Sequence, residues 1–210
     1  KGSNAWIWKK GTKNNILASL ADGLGDAQTR SLIAEYRARQ AMVDFGEWTA
    51  GFKVPINDNW ARTIVSESSA GGMNKQTSHK LSFYAATTQS GTTLTPAADT
   101  LPGWTGANQI PLKVSGNRVR VSFTPTAGNM SFQLAYRAAD GSAVYSQPVK
   151  SGEACLDLSK APKNGVVVGI ATNTDYLYNG ETTRKAKYDY RINLLEGVSG
   201  TATLYDKHYQ

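Results

Sequence analysis

Two histidines, His79 and His208, and a single cysteine, Cys155, are all the imidazole and thiol chemistry the chain offers. No HExxH or CxxC spacing occurs, so a transition-metal catalytic centre built from this chain alone has too few ligands. A nucleophilic Ser or Cys needs a base beside it, and nothing in the sequence sets either histidine next to Cys155 or a serine. Cys155, between Ala154 and Leu156, reads as a small core residue. Carboxylates remain. Asp175, Glu181 and Asp189 fall in one stretch, and Asp44 and Glu47 lie upstream on a helical pattern. A glycosidase needs only two such groups across a sugar, but Arg184, Lys185 and Arg191 stand close enough in sequence to make the stretch a salt-bridged loop. Catalytic residues are therefore left unassigned. Calcium is the one cofactor kept open, because Asn57-Asp58-Asn59 and Asn173-Thr174-Asp175 cluster oxygen ligands. Neither matches an EF-hand loop, and Asx turns that satisfy their own backbone are the plainer reading of both.

The side chains best matched to a ligand are aromatic and amide. Flat rings stack on the apolar faces of sugars while Asn, Asp and Arg bond their hydroxyls. Asn173, Asp175, Tyr176, Tyr178 and Arg184 have that composition, and Trp104 sits in a compact Leu101-Pro102-Gly103-Trp104-Thr105-Gly106 loop. These six are the candidate ligand-binding residues. The same residues would also stiffen a loop over a core. Trp6 and Trp8, alternate in an extended piece, would share one face and read as packing.

The elements that would position these residues follow from periodicity. Residues 166–194 open with Val166-Val167-Val168-Gly169-Ile170 and close on the alternating Tyr188 to Leu194. This predicts two strands of a sheet with a long polar and aromatic loop between them. Upstream, Ile16, Leu17, Leu20 and Leu24 fall at helical spacing after Asn14 and Asn15. Gly25-Asp26 then starts a second helix running to about Gly46 or Trp48, with Leu32, Tyr36 and Val43 in one sector and Ile33 beside them. Together they make a helical hairpin that must pack on something else.

From Trp60 onward eight or nine short strands are expected. They include Trp60 to Glu67, Lys80 to Thr88, runs around Val119 to Phe123 and Phe132 to Tyr136, Ala154 to Leu158, and Thr201 to Tyr205. Residues 91–111, rich in proline, read as an irregular connection, and Asp140-Gly141 as a tight hairpin turn. Such spacing belongs to an antiparallel β-sandwich or jelly roll. The expected organisation is thus a helical segment over 1–56 and a β-sandwich domain over 57–210.

Composition is that of an ordinary folded protein, 40% hydrophobic and 10% aromatic over 210 residues. The formal net charge of +7 suits a polyanion or plain solubility, but the basic residues form no dense block, which argues against nucleic acid. A lone cysteine allows no internal disulfide. No apolar run approaches the ~20 residues of a membrane span, and Lys1-Gly2-Ser3-Asn4 begins no signal peptide.

Four segments carry a resemblance: Arg30 to Trp48, Leu101 to Val114, Asn129 to Val149, and Val166 to Leu194. Together they resemble the C-terminal half of a poorly characterised family of large secreted bacterial proteins, avirulence-protein-like and associated with polysaccharide-degrading bacteria. In that family an N-terminal region carries a zinc-peptidase-like histidine motif. Nothing here matches the motif, so that activity is carried onto no residue of this chain. The resemblance implies a secreted, downstream module whose partner is the missing N-terminal domain of the same protein.

The expectation is a mainly β protein, an antiparallel sandwich preceded by an α-helical hairpin. Its expected role is a secreted, non-catalytic accessory module that binds a polysaccharide or other glycan. Two alternatives stand beside it. One is the C-terminal part of a secreted hydrolase, glycosidase or peptidase, with its catalytic residues mostly elsewhere. The other is a structural or protein-interaction module.

Overall fold

The computed structural model describes residues 16–42, 44–45, 86–162, 166–177 and 185–202. The expected strand at 60–67, most of the one at 80–88, Trp6 and Trp8, and the histidines lie outside these residues.

Among the described residues two helices come first, α1 (Ile16–Leu24) and α2 (Asp26–Met42). Gly25, at φ 87°, makes the turn between them. The Thr29 hydroxyl donates back to the Gly25 carbonyl at 2.8 Å. Asp26 in the first turn of α2 and Arg39 in its last both complement the helix dipole. α2 ends at Met42, short of the expected Gly46, because the Asp44 N–H bonds the Arg39 carbonyl at 2.9 Å and closes the helix.

Ten strands follow among the described residues: β1 (Thr87–Ser90), β2 (Thr93–Pro96), β3 (Ala107–Val114), β4 (Arg118–Pro125), β5 (Met130–Arg137), β6 (Ala143–Tyr145), β7 (Gly152–Asp157), β8 (Val166–Asn173), β9 (Tyr190–Glu196) and β10 (Val198–Thr201). They form two five-stranded antiparallel sheets, ordered β1-β2-β9-β4-β7 and β10-β3-β8-β5-β6. The sheets pack face to face over Leu94, Ile110, Val121, Phe123, Phe132 and Tyr190. Phe123 stacks on Phe132 at 4.9 Å and tilts against Tyr190 at 5.5 Å. Buried Tyr190 satisfies its hydroxyl by accepting from Asn108 Nδ2 at 2.8 Å.

On the outer face of the second sheet lies α2. Ala38, Ala41 and Met42 pack on Ala135, Val166, Val168 and Ile170. β8 is therefore covered on both faces, and all eight of its residues are buried. That is why its sequence is a continuous apolar run rather than an alternation.

The mainly β sandwich with a preceding helical hairpin is thus what the chain builds, but four local expectations change. First, β8 and β9 belong to opposite sheets, so the two strands of the 166–194 stretch are not neighbours in one sheet. Second, residues 91–111 carry β2 and the start of β3. Pro111 is tolerated in β3 because its carbonyl accepts from Ala202, just past the end of β10. Its missing N–H faces that same side, away from the β8 ladder. Third, Cys155 is exposed, since β7 turns Ala154 and Leu156 inward. Fourth, the strand that contains Thr201 is Val198–Thr201 and starts straight after Gly197, while residues 203–205 of the expected Thr201 to Tyr205 strand lie outside the described residues. Gly197 has φ 68°, and a Cβ there would lie 1.9 Å from the Arg118 carbonyl oxygen, so only glycine fits this turn.

The helical stripe also differs. α2 buries Thr29, Ile33, Ala34, Ala38, Ala41 and Met42, whereas Leu32 and Tyr36 are 43% and 51% exposed. Small residues admit the close approach of helix to sheet, and the bulkier ones are left at the flank. Ile16, Leu20 and Leu24 of α1 likewise face outward.

Candidate ligand groove

The first turns of α2 meet the end of β8 through a polar joint. Arg30 bonds the Asp26 carboxylate at 3.0 Å, Asp175 at 2.8 Å and the Thr174 carbonyl at 2.9 Å. Asp175 also accepts from Asn129 Nδ2 at 2.9 Å and from the Tyr188 hydroxyl. Burial pushes the Asp175 carboxyl up, but the bonds from Tyr188, Asn129 and Arg30 outweigh it and hold it below the usual carboxylate range. Tyr176 is 2% exposed. Its hydroxyl donates to Asp26 at 2.7 Å, and Arg30 lies over its ring at 5.0 Å. Asn173 accepts from the Asp175 N–H at 3.0 Å, an Asx turn, and donates to the Pro102 carbonyl at 3.2 Å.

Asn173, Asp175 and Tyr176 are thus brought together, with their polar groups turned into the joint between helix and sandwich. The loop bearing Trp104 is pinned to the same place by the Asn173 N–H bonding the Gly106 carbonyl at 2.9 Å. Trp104 itself is half-buried, and its Nε1 has no partner among the described residues. Tyr178 and Arg184 lie outside the described residues, as do Glu47, Glu181 and Asn57-Asp58-Asn59. The oxygens of the Asn173 to Asp175 cluster face N–H and O–H donors, and among the described residues no group of three or more metal-ligating side chains occurs.

Beside this joint a groove runs along α2. Two cavities, of about 250 Å³ and 370 Å³, adjoin at Ser31, Ala34 and Pro148. The helix wall is made of the small residues Ala27, Ser31, Ala34 and Ala38, with Arg30, Glu35 and Arg39 beside them. The opposite wall is Ser131 and Gln133 of β5, Tyr145 of β6, and the Pro148 to Ser151 segment. Asn129 and Thr174 close the end nearest the joint. From Ala27 to Arg39 the helix wall is about 18 Å long at 1.5 Å per residue.

The arginines of this groove are paired in place. Arg30 serves Asp26 and Asp175, and Arg39 serves Glu35 at 2.8 Å and Asp44 at 3.3 Å. The Tyr145 hydroxyl donates to Asp44 at 2.8 Å, and burial together with that bond raises its phenol well above the ordinary value. Unmatched polarity remains in the neutral groups. Among the described residues the hydroxyls of Ser31, Ser131 and Ser151 have no protein partner.

None of these groove residues stands out in the sequence. Ser131 and Gln133 simply alternate with the core residues Phe132 and Leu134. A clue was available: a strand central to a sheet with a polar second face implies a third layer or a ligand over that face.

A comparison of the chain with protein-family models finds no match, and a comparison with curated proteins finds none.

Proposed function

We propose that this chain is a secreted, non-catalytic accessory module of a larger bacterial protein and that it binds carbohydrate in the groove along α2. The observation that carries the reading is the groove's chemistry. Serine hydroxyls without protein partners line it beside Tyr145 and Pro148, while Glu35 in its wall, and Asp175 and Asp44 next to its arginines, are held by those arginines. Sugars present both apolar ring faces and hydroxyls that donate and accept, which such a lining suits. A glycosidase would need two carboxylates at liberty across the bond; Asp26, Asp175, Glu35 and Asp44 are each engaged. The resemblance to the C-terminal half of large secreted proteins agrees with an accessory role.

The test is a polysaccharide array probed with the whole chain, with Ser31→Trp as the blocked form. Ser31 is exposed on the helix and borders both cavities, so an indole there obstructs the groove without entering the core. Binding lost in Ser31→Trp is expected. A blank array would overturn the reading and turn attention to the outward apolar face of the hairpin, Ile16, Leu20, Leu24, Leu32 and Tyr36, as a protein-interaction surface.

A further inference from the structure

The whole chain carries +7, which by itself points to an acidic polymer. In the groove that bias is largely neutralised. Of its lining residues Arg30, Arg39 and Lys150 are cationic and Glu35 is acidic, but both arginines are held by carboxylates, Asp26 and Asp175 on Arg30, Glu35 and Asp44 on Arg39. The Arg30–Asp175 pair is the most enclosed, each side chain 17% exposed. An anionic sugar would have to displace Asp175 from Arg30 to gain a strong contact, and would leave that carboxylate uncompensated. Lys150 is the groove's one cation without an ion pair among the described residues, and it is exposed, where a single charge is weak and screened by salt.

The hydrogen-bonding groups show the same preference. Asn129 uses its amide N–H on Asp175, and Gln133 uses its own on the Ser146 carbonyl at 2.7 Å. Both partners are acceptors, so the assignment of nitrogen and oxygen in each amide is fixed. Each side chain therefore keeps its carbonyl oxygen for a ligand. Carboxylates and sulfates only accept, and gain nothing from a carbonyl. Sugar hydroxyls donate to it, and also exchange bonds in either sense with Ser31, Ser131 and Ser151.

A peptide laid along this edge as an added strand would find few partners. Pro148 has no N–H, the Ser146 carbonyl is taken by Gln133, and Val149 exchanges both of its backbone bonds with Phe132.

We infer that the groove takes a neutral, unbranched polysaccharide in an extended conformation, held by hydroxyl contacts and ring faces rather than by charge. This inference rests on the carbohydrate reading above and names its ligand class. The probes are hydroxyethylcellulose and unsubstituted mannan as neutral chains and polygalacturonate as the acidic one, run by affinity electrophoresis and calorimetry at low and high salt. At least one neutral chain is expected to bind with little change between the two salts, and Ser31→Trp is expected to weaken it about tenfold or more. The double variant Ser131→Ala plus Ser151→Ala, which adds no bulk, should weaken it as well. Circular dichroism and the denaturation midpoint confirm that each variant folds. Salt-sensitive binding of polygalacturonate alone would overturn this inference while leaving the carbohydrate reading in place. Neutral binding indifferent to both variants would overturn the groove as its site. Binding to none of the probes, with a blank array, would overturn both readings.

Discussion

Asp175 shows how one residue can look like a ligand-binding group and be a keystone. Its carboxylate gathers Arg30 of α2, Asn129 before β5 and Tyr188 before β9. Asp175→Asn keeps the size but removes the charge, leaving an enclosed guanidinium with Asp26 alone. The expected cost is about 1–3 kcal/mol in urea unfolding. Because the folded carboxyl sits below its free value, its contribution is fully present above about pH 4 and is lost as pH falls through the folded value. The acid side of the stability profile should therefore be shallower in Asp175→Asn than in the native chain. Equal slopes would show that Asp175 is not paired in solution. Tyr188 gives the opposite sign. Burial, then its bond to Asp175, push its phenol up to about 12. That contribution is present below the free phenol's value of about 10 and lost as pH rises towards 12. In Asp175→Asn, ultraviolet titration should find Tyr188 ionising at lower pH.

At the scale of elements, the orientation of α2 decides what the groove is made of. The helix buries its alanines and leaves Leu32 and Tyr36 at the flank. A helix that lay on its leucine face would stand further from the sheet and would turn Ser31 and Ala34 elsewhere. The two orientations differ in a measurable way. Ala41 is 0% exposed against the sheet, so Ala41→Leu should overpack the interface and cost about 1–3 kcal/mol. Leu32→Ala, at a half-exposed position, should stay within about 0.5 kcal/mol of the native chain. The reverse order in chemical denaturation would mean that α2 sits on its other face.

For the whole molecule, the question is whether hairpin and sandwich behave as one body. The strongest tie on the far end of α2 is Arg137 of β5. It is 4% exposed. Its guanidinium donates to the Met42 carbonyl at 2.7 Å and to the Gly141 carbonyl at 2.6 Å, so it caps the helix and holds the β5–β6 turn at once. Asp175 does the equivalent work at the other end. Arg137→Met removes a charged cap from buried carbonyls and should cost about 1.5–3 kcal/mol. Hydrogen exchange should then show α2 amides opening before those of β8 and β5. If all three still exchange together, the apolar contact of α2 with the sheet alone holds the unit together.

Much of this architecture is legible in the sequence. The Val166 to Ile170 run, the Asp140-Gly141 turn, the alternation around Phe123 and Phe132, and the Gly25-Asp26 break between helices are local signals. Local signals fix local structure, and they suffice for a sandwich behind a helical hairpin. The partners of each strand are another matter. Nothing within Val166 to Leu194 says that its two strands separate into opposite sheets, because pairing is settled by β3, β5, β4 and β2, which lie elsewhere in the chain. The same holds for the candidate site. Asn173, Asp175 and Tyr176 were visible as chemistry, but their engagement with Asp26, Arg30 and Pro102 depends on residues up to 150 positions away. The groove along α2 was not visible at all. Its walls come from a helix and a sheet edge a hundred residues apart, and its open hydroxyls are ordinary serines until the fold brings them to one cavity.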